Sequence, residues 1–293
     1  MTLRILMFGR SGQVATEVQR LASDNLEIKA LSRDQMNLSK RGQCATAIDE
    51  AAVDVVINAA AFTAVDAAET NEEVAIAVNA HAPGEMAQAC ALRDIPFVHI
   101  SSDYVFDGSK DKPWSEDDFT APLNTYGRSK LLGEQAVRDA GGRHVILRTS
   151  WIYSAHGENF VKTMLKMLKS DRPVAVISDQ YGGPTSASDV ASALVSIAKA
   201  FNLKNGVTGT FHYCGAPAIS WHGFAEEVFN QAKWLSGQKV QAISSSDRPT
   251  LARRPHNSVL DCTKTEEAYD IVQPDWRKSL SAVLDELKRQ EIS

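Results

Sequence analysis

The amino-acid sequence predicts an α/β fold, in which a doubly wound parallel sheet is followed by a smaller C-terminal lobe. Two observations lead to this prediction. Short apolar segments alternate with amphipathic ones through residues 1–150, which is the pattern of strands and crossover helices in a parallel sheet. A glycine-containing turn joins the first apolar segment to the first amphipathic one. We therefore expect a nucleotide-binding domain over residues 1–150 and a substrate-binding lobe over most of residues 151–293.

Length, composition and charge exclude several other classes of protein. The chain has 293 residues and 44% hydrophobic content, enough to bury a full core. A net charge of -5 argues against nucleic acid as a partner. The sequence has no apolar run long enough to span a bilayer and no signal-peptide pattern, so we expect a cytoplasmic protein without a membrane partner. The four cysteines lack C-x-x-C spacing, which favours reduced thiols over a zinc site or a disulfide framework.

The first strand, residues 5–8, leads directly into the glycine turn. Gly9 and Gly12 bracket this turn, and the helix that follows begins near Gln13. The free N–H groups and the positive dipole end of such a helix suit a pyrophosphate. Ala15 replaces the third glycine of the usual pattern and is small enough for close packing of helix on strand. The turn predicts a Rossmann-type dinucleotide site; a plain helix-start turn is the alternative.

The second strand, Leu26–Leu31, predicts the cofactor. Ser32 and Arg33 follow it, where an acidic residue would bind the ribose of NAD. A guanidinium at this position can bind a 2'-phosphate, so the sequence favours NADPH over NADH. Arg33 as an ordinary surface cation is the alternative.

The third strand, residues 53–58, is nearly all apolar and ends in small residues that let a cofactor approach the backbone. A helical region over residues 71–93 follows, and Pro83 with Gly84 should kink or restart it. Asn79, just before that break, is a candidate for a structural hydrogen bond under the cofactor. A helix-surface position is equally compatible with the sequence.

The segment from Ser102 to Lys130 contains the candidate catalytic groups. Tyr126 and Lys130 are four residues apart, so on a helix both project from one face. The ammonium would favour the phenolate and lower the pKa of Tyr126, which could then act as a general acid. Ser102 ends the fourth predicted strand and could donate a second hydrogen bond to the same oxygen.

A Tyr and a Lys with this spacing also occur together by chance. The position of the pair in the predicted fold distinguishes a catalytic pair from a chance one. In a doubly wound sheet, ligands gather at the carboxyl ends of the strands. Four residues stand at predicted strand ends, and they are Gly9, Ala59, Ser102 and Thr149. Their convergence supports a single site.

The remainder of the chain predicts a second layer of elements. A helix over 159–168 comes first, and residues 173–201, a strand and a helix, are expected to return to the main sheet. A strand over 209–214 and helices over 221–235 and 276–289 are expected to form the smaller lobe. We expect no ligand role for the scattered histidines, which include His156, His212, His222 and His256.

Seven segments resemble a known family. They are GRSGQVA, NAAAFTAVDAAE, SSDYVFDG, PLNTYGRSK, RTSWIYS, DQYGGPT and RRPHNSVLD. The chain resembles the extended short-chain dehydrogenase/reductases and, within them, the dTDP-4-dehydrorhamnose reductases. The resemblance implies reduction of the 4-keto group of dTDP-4-dehydro-6-deoxy-L-mannose to dTDP-L-rhamnose, with hydride from NADPH and NADH as an alternative donor.

The resemblance also implies roles for individual residues. Tyr126 would protonate the 4-oxygen, Lys130 would hold the nicotinamide ribose, and Ser102 would hydrogen-bond the reacting carbonyl. The implied cofactor-binding residues are Gly9, Ser11, Gly12, Gln13, Val14, Arg33, Ala59, Ala60, Ala61, Thr63, Tyr126 and Lys130. The implied deoxysugar-binding residues are Val65, Asp103, Tyr104 and Trp151, although Trp151 is equally compatible with a core position.

Several alternatives stay open at this stage. Arg254 could bind the nucleotide diphosphate through bidentate hydrogen bonds, or it could be a solvated loop arginine. Dehydration is disfavoured because Tyr104 follows Asp103, where related dehydratases have an Asp-Glu pair. A ketoreductase for another dTDP-deoxysugar and a regulatory subunit like that of methionine adenosyltransferase are the competing functions. Some family members dimerise around Mg2+, and Glu17 matches one of the acidic positions.

Overall fold

The computed structural model describes residues 2–169, 173–232, 234 and 239–292. The main sheet has six parallel strands in the order β10-β5-β4-β3-β1-β2. The strands of the chain are β1 (Leu3–Phe8), β2 (Leu26–Leu31), β3 (Val55–Asn58), β4 (Phe97–Ser102), β5 (His144–Thr149), β6 (Ile152–Tyr153), β7 (Val174–Ile177), β8 (Tyr181–Gly182), β9 (Thr185–Ser186), β10 (Gly209–His212), β11 (Ile219–Ser220), β12 (Val240–Ile243) and β13 (Asn257–Ser258).

Helices cover both faces of the main sheet. They are α1 (Gln13–Arg20), α2 (Gln43–Asp49), α3 (Val65–Ala68), α4 (Glu72–Ile76), α5 (Ala82–Leu92), α6 (Thr125–Asp139), α7 (Phe160–Leu168), α8 (Ala187–Asn202), α9 (Trp221–Gln231), α10 (Thr263–Tyr269) and α11 (Trp276–Ile292). Helices α1 and α8 share a buried core with one face of the sheet, and α2 and α5 share another with the opposite face. The predicted doubly wound parallel sheet is confirmed.

The strand order reverses between β1 and β3, which creates a crevice at the carboxyl ends of the strands. The chain leaves β1 at Gly9 and β3 at Ala59, and β4 ends on Ser102. These positions lie at the same edge of the sheet because all the strands are parallel. The convergence expected from the sequence is therefore present.

The second half of the chain differs from the prediction in two strands. β10 was expected in the smaller lobe, but it pairs with β5 and forms the edge of the main sheet. β7 was expected in the main sheet, but it pairs with β12 outside it. Only α8, from the 173–201 segment, packs on the main sheet. A short apolar run reveals a strand but not its partner, since pairing is decided by register between distant segments.

The smaller lobe has its own apolar core. Residues of α7, α9 and α11 pack there with β7, and Trp276 and Phe224 are fully buried. Their rings lie 5.3 Å apart, edge to face. The smaller lobe is therefore packed around a core separate from those of the main sheet. Within the described residues, none of the helices is long and apolar enough to cross a membrane.

The predicted break at Pro83 is present. A π-helical turn over Ala77–His81 separates α4 from α5, and Pro83 lies in the first turn of α5. Asn79 is buried, accepts from the Phe62 N–H at 2.8 Å, and donates to the Ser129 hydroxyl at 2.9 Å. The helix-surface interpretation of Asn79 is wrong, because its side chain connects the loop after β3 to α6.

The four cysteines are buried free thiols, but two of them are not dispersed in space. The Sγ atoms of Cys214 and Cys262 lie 3.8 Å apart. Their segments are distant in sequence, so the spacing of the cysteines gave no sign of this contact.

Candidate active site

The turn after β1 has the geometry of a phosphate-binding turn. Gly9 has a φ of 104°, and a Cβ there would lie 3.1 Å from the carbonyl carbon of Ala59. Gly12 precedes α1 without a side-chain cap, and a Cβ on it would meet nothing within 4 Å. The first N–H groups of α1 therefore face open space, which fits the pyrophosphate of a dinucleotide.

A cavity of about 590 Å³ adjoins this turn and the end of β2. Three arginines and one acidic residue, Asp34, line it; the arginines are Arg10, Arg20 and Arg33, and Arg33 is exposed. Such a cationic cavity beside the ribose position fits a 2'-phosphate. The sequence interpretation identified Arg33 and missed Arg10, whose only signal was a basic residue between the two turn glycines.

The other expected cofactor residues divide into two groups. Ser11, Thr63 and the 59–61 segment have accessible surface along the crevice. Val14 is buried in the core under the sheet, so only its backbone can reach a pyrophosphate. The Gln13 amide oxygen accepts hydrogen bonds from Ser154 and Asn159, at 3.1 and 3.0 Å, and so connects the turn to the segment before α7.

Tyr126 and Lys130 lie on the same helix, as expected. α6 begins at Thr125, and the Asn124 side chain caps it by accepting from the Gly127 N–H at 2.8 Å. A Cβ on Gly127 would collide with the Tyr104 carbonyl oxygen. Glycine therefore lets the first turn of α6 pack closely on the segment after β4, and the rings of Tyr104 and Tyr126 lie 5.7 Å apart, edge to face.

The ionisation of the pair differs from the expectation. Burial raises the pKa of Tyr126 to about 12, and a hydrogen bond with Ser102 opposes this only in part. Burial lowers the pKa of Lys130 to about 8, and Nζ donates to the carbonyl oxygen of Ile100 at 2.7 Å. The prediction of a lowered pKa for Tyr126 is wrong for the ligand-free protein, since desolvation of the phenolate outweighs the other influences. Tyr126 is thus a protonated phenol at neutral pH.

Ser102 and Asp103 form the floor of the site at the end of β4. The Ser102 hydroxyl donates to Asp103 Oδ1 at 2.9 Å and accepts from the Tyr104 N–H at 3.1 Å. Burial raises the pKa of Asp103 to about 6, although a hydrogen bond from Ser102 opposes the rise. A substrate oxygen that accepts from Ser102 must therefore compete with this carboxylate.

Trp151 lies at the junction of the main sheet and the smaller lobe. It is partly exposed, has a φ of 49°, and stacks on Trp221 with ring centroids 3.4 Å apart. An aromatic stack of this kind offers a flat apolar surface to a sugar. The sequence analysis did not identify Trp221, because a tryptophan at the start of a helix is usually interpreted as a core residue. Val65 opens α3 and is also partly exposed.

Arg254 is partly exposed and ion-paired. Its guanidinium forms a bidentate ion pair with Asp66, with Nη2 2.6 Å from Oδ2 and Nη1 3.2 Å from Oδ1. Asp66 also accepts from the Ala252 N–H at 3.0 Å. This contact connects α3 of the main domain to the 248–256 segment of the lobe. Arg254 is therefore a loop arginine that an ion pair holds in place, and its contact with the diphosphate stays a prediction.

The acidic position Glu17 lies in a cluster with His156 and Glu286. Arg20 occupies this cluster, because its Nη1 lies 2.8 Å from Glu286, 3.1 Å from His156 and 3.4 Å from Glu17. The Arg20 guanidinium thus already lies among the three side chains, where a metal ion would have to bind. The chain's own geometry therefore gives no support for Mg2+ at Glu17.

Comparisons with known proteins show the family of the chain. The sequence matches the RmlD substrate binding domain family over residues 3–289. It is 42% identical to a dTDP-4-dehydrorhamnose reductase of Sinorhizobium fredii, over 94% of this chain and 95% of the relative.

Two solved structures are similar over nearly their whole length. A dTDP-4-dehydrorhamnose reductase of Clostridium acetobutylicum has a TM-score of 0.90 at 34% identity, covering 98% of this chain and 100% of that one. A Bacillus anthracis dTDP-4-dehydrorhamnose reductase in complex with NADP has a TM-score of 0.91 at 29% identity, with the same coverage. The fold is thus that of known solved structures, and the chain belongs to the RmlD substrate binding domain family.

Proposed function

We propose that this protein reduces the 4-keto group of dTDP-4-dehydro-6-deoxy-L-mannose (dTDP-4-dehydro-L-rhamnose) to give dTDP-L-rhamnose, with NADPH as the electron donor. The relatives named dTDP-4-dehydrorhamnose reductase support this activity. The Bacillus anthracis structure with NADP supports the cofactor. We place the reaction in the cytoplasm, with a dTDP-sugar as partner and a homodimer as the expected assembly.

One observation carries the proposal. The Tyr126 phenol, the Lys130 ammonium and the Ser102 hydroxyl lie at the carboxyl end of β4 and the start of α6, beside a glycine turn that fits a pyrophosphate. Such a site can hold a dinucleotide and a carbonyl together. When bound, NADPH supplies the hydride.

The chain's own residues supply the proton and the orientation. Because burial keeps the pKa of Tyr126 near 12, the phenol is protonated and can give its proton to the 4-oxygen. Ser102 donates a second hydrogen bond to that oxygen when it releases Asp103. Lys130, charged below about pH 8, stabilises the phenolate that Tyr126 leaves behind.

The sugar is oriented by the groups around this centre. The stack of Trp151 on Trp221 offers an apolar wall, and Val65 faces the same crevice from α3 in our proposal. Asp103 and Tyr104 supply polar anchors. Tyr104 gives no carboxylate for eliminating water, which supports reduction over dehydration.

The activity is tested by following NADPH oxidation with substrate generated in situ from dTDP-glucose by the enzymes that precede this step. We expect oxidation that requires the complete upstream set and yields dTDP-L-rhamnose. Omission of one upstream enzyme is the control. Oxidation with a different dTDP-4-keto-deoxysugar and none with this substrate would contradict the proposed sugar.

The diphosphate role of Arg254 gives a separate prediction. Arg254→Ala should raise the KM for the dTDP-sugar by about 10- to 100-fold, because a charge-assisted bidentate contact contributes about 1.5–3 kcal/mol. The kcat should change little, since the diphosphate is held equally in ground and transition states. Steady-state kinetics measure both constants.

The neighbouring Arg253 provides a matched control. Its side chain is exposed, and its carbonyl oxygen accepts a hydrogen bond from the Asn124 side chain at 2.7 Å. Arg253→Ala should keep the KM of the unmodified enzyme. A lower kcat with an unchanged KM in Arg254→Ala would show that the Asp66 ion pair organises the site instead of binding the diphosphate.

A further inference from the structure

The helix that carries Tyr126 and Lys130 also carries a buried carboxylate. Glu134 lies one turn beyond Lys130 on α6 and is fully buried. Because residues four apart share a helix face, the phenol, the ammonium and this carboxylate form one row. A buried charge is retained only where other groups compensate it.

Glu134 has such compensation from two strands of the main sheet. Arg148 of β5 binds both carboxylate oxygens, with Nε 2.9 Å from Oε1 and Nη2 2.7 Å from Oε2. The Ser101 hydroxyl of β4 donates to Oε1 at 2.6 Å. Burial raises the pKa of Glu134. The hydrogen bonds and charge of these partners outweigh burial and hold this pKa below its ordinary value. The carboxylate is therefore ionised at neutral pH.

The Glu134 carboxylate and the Lys130 ammonium contact neighbouring residues of β4. Lys130 Nζ donates to the Ile100 carbonyl oxygen at 2.7 Å, and Glu134 binds the next residue, Ser101. The medium between them is protein interior, where charges interact more strongly than in water. Glu134 is thus a counter-charge for Lys130 as well as for Arg148.

We propose that Glu134 is a positioning residue of the reductase, and that its buried negative charge keeps the Lys130 side chain protonated beneath Tyr126. This inference rests on the proposed function, because it assigns the charge of a group that acts in that reaction. Arg148 holds the carboxylate in place and keeps it ionised.

Few other charged groups surround Lys130 and Glu134 in the described part of the chain. Burial lowers the pKa of His99 far below its ordinary value and that of His212 to about 3, so both rings are neutral. Among the described residues, the titratable and charged groups around Lys130 and Glu134 are Tyr126 and Arg138 of α6, His99 of β4, Arg148 of β5 and His212 of β10.

The sign of the effect follows from these charges. Burial favours the neutral amine and lowers the pKa of Lys130, while the charge of Glu134 raises it. Removal of the carboxylate should lower the pKa further, so that Lys130 loses its proton at a lower pH.

The test measures the alkaline limb of kcat against pH in two variants. Glu134→Gln should move this limb to lower pH by roughly one pH unit or more, the change expected when an opposite charge at close range is lost. Ser101→Ala, which removes a hydrogen bond without changing a charge, should leave the limb in place.

A direct titration of Lys130 separates this inference from the proposed function. NMR of protein labelled with 13C at the lysine ε carbons follows the charge of Lys130 without turnover, and Lys130→Met assigns its signal. Absence of turnover with dTDP-sugars, together with a shifted Lys130 midpoint in Glu134→Gln, would reject the activity and keep the inference. Turnover with unshifted midpoints would reject the inference alone.

The buried position of the pair requires a variant that folds. Loss of one partner leaves the other charge unpaired, whereas removal of both partners is often tolerated. If Glu134→Gln does not fold, the double variant Glu134→Gln with Arg148→Met is used to test the proposal. Its Lys130 midpoint should lie below that of the unmodified protein, because Glu134 is the charge that acts on Lys130. A midpoint that stays in place would overturn the proposal.

Discussion

Tyr126→Phe should lower kcat by about two to four powers of ten while leaving NADPH affinity nearly unchanged. The change removes one hydroxyl and keeps the ring, so packing against Tyr104 at 5.7 Å is retained. Without the phenol, the 4-oxygen has no acid at the start of α6. Stopped-flow or steady-state NADPH oxidation measures the loss, and fluorescence titration measures the affinity.

A second tyrosine serves as the control for this variant. Tyr269 of α10 bonds through its hydroxyl to the backbone of Val207, and Tyr269→Phe should keep kcat. Full turnover by Tyr126→Phe would remove this residue from the proton path. Parallel loss of turnover and NADPH affinity would instead indicate a disrupted cofactor site.

Arg33→Ala should weaken NADPH binding by about 10- to 100-fold and leave NADH binding unchanged. The expected size follows from a charge-assisted hydrogen bond of about 1.5–3 kcal/mol, at 1.4 kcal/mol for each tenfold change. NADH lacks the 2'-phosphate and is therefore the internal control. Arg33→Lys should give an intermediate affinity, because lysine keeps the charge but not the planar fork.

Two further arginines refine this test. Arg10 lines the same cavity, and Arg10→Ala should also weaken NADPH more than NADH. Arg41 is exposed and does not line that cavity, so Arg41→Ala should affect neither cofactor. Equal losses for both cofactors in Arg33→Ala would show that Arg33 supports the cavity without binding the 2'-phosphate.

Local patterns were sufficient for much of the fold and of the candidate site. The bounds of β2 and β7 agree with the apolar segments, and α1 begins at Gln13 as expected. The four-residue spacing correctly placed Tyr126 and Lys130 on one helix, because helix geometry is a property of neighbouring residues. These features depend on short-range chemistry that a single segment contains.

Contacts between distant segments could not be predicted from local sequence patterns. Pairing between distant segments decides in which sheet β10 and β7 lie. The apolar pattern alone assigned both strands to the wrong part of the fold. The sign of the Tyr126 pKa depends on burial, which outweighs the charge argument made from spacing. Arg254 is bound by Asp66, which lies 188 residues earlier in the chain.

The sequence by itself determined the alternating α/β order, the glycine turn and the chemical identity of the proposed proton donor. Only the tertiary structure decided which charges meet under that donor. Glu134 is visible in the sequence as a helix residue, but its pairing with Arg148 arises where α6 crosses β4 and β5. The physical reason is that electrostatic interactions depend on distance and burial, and both are set by packing between segments rather than by order along the chain.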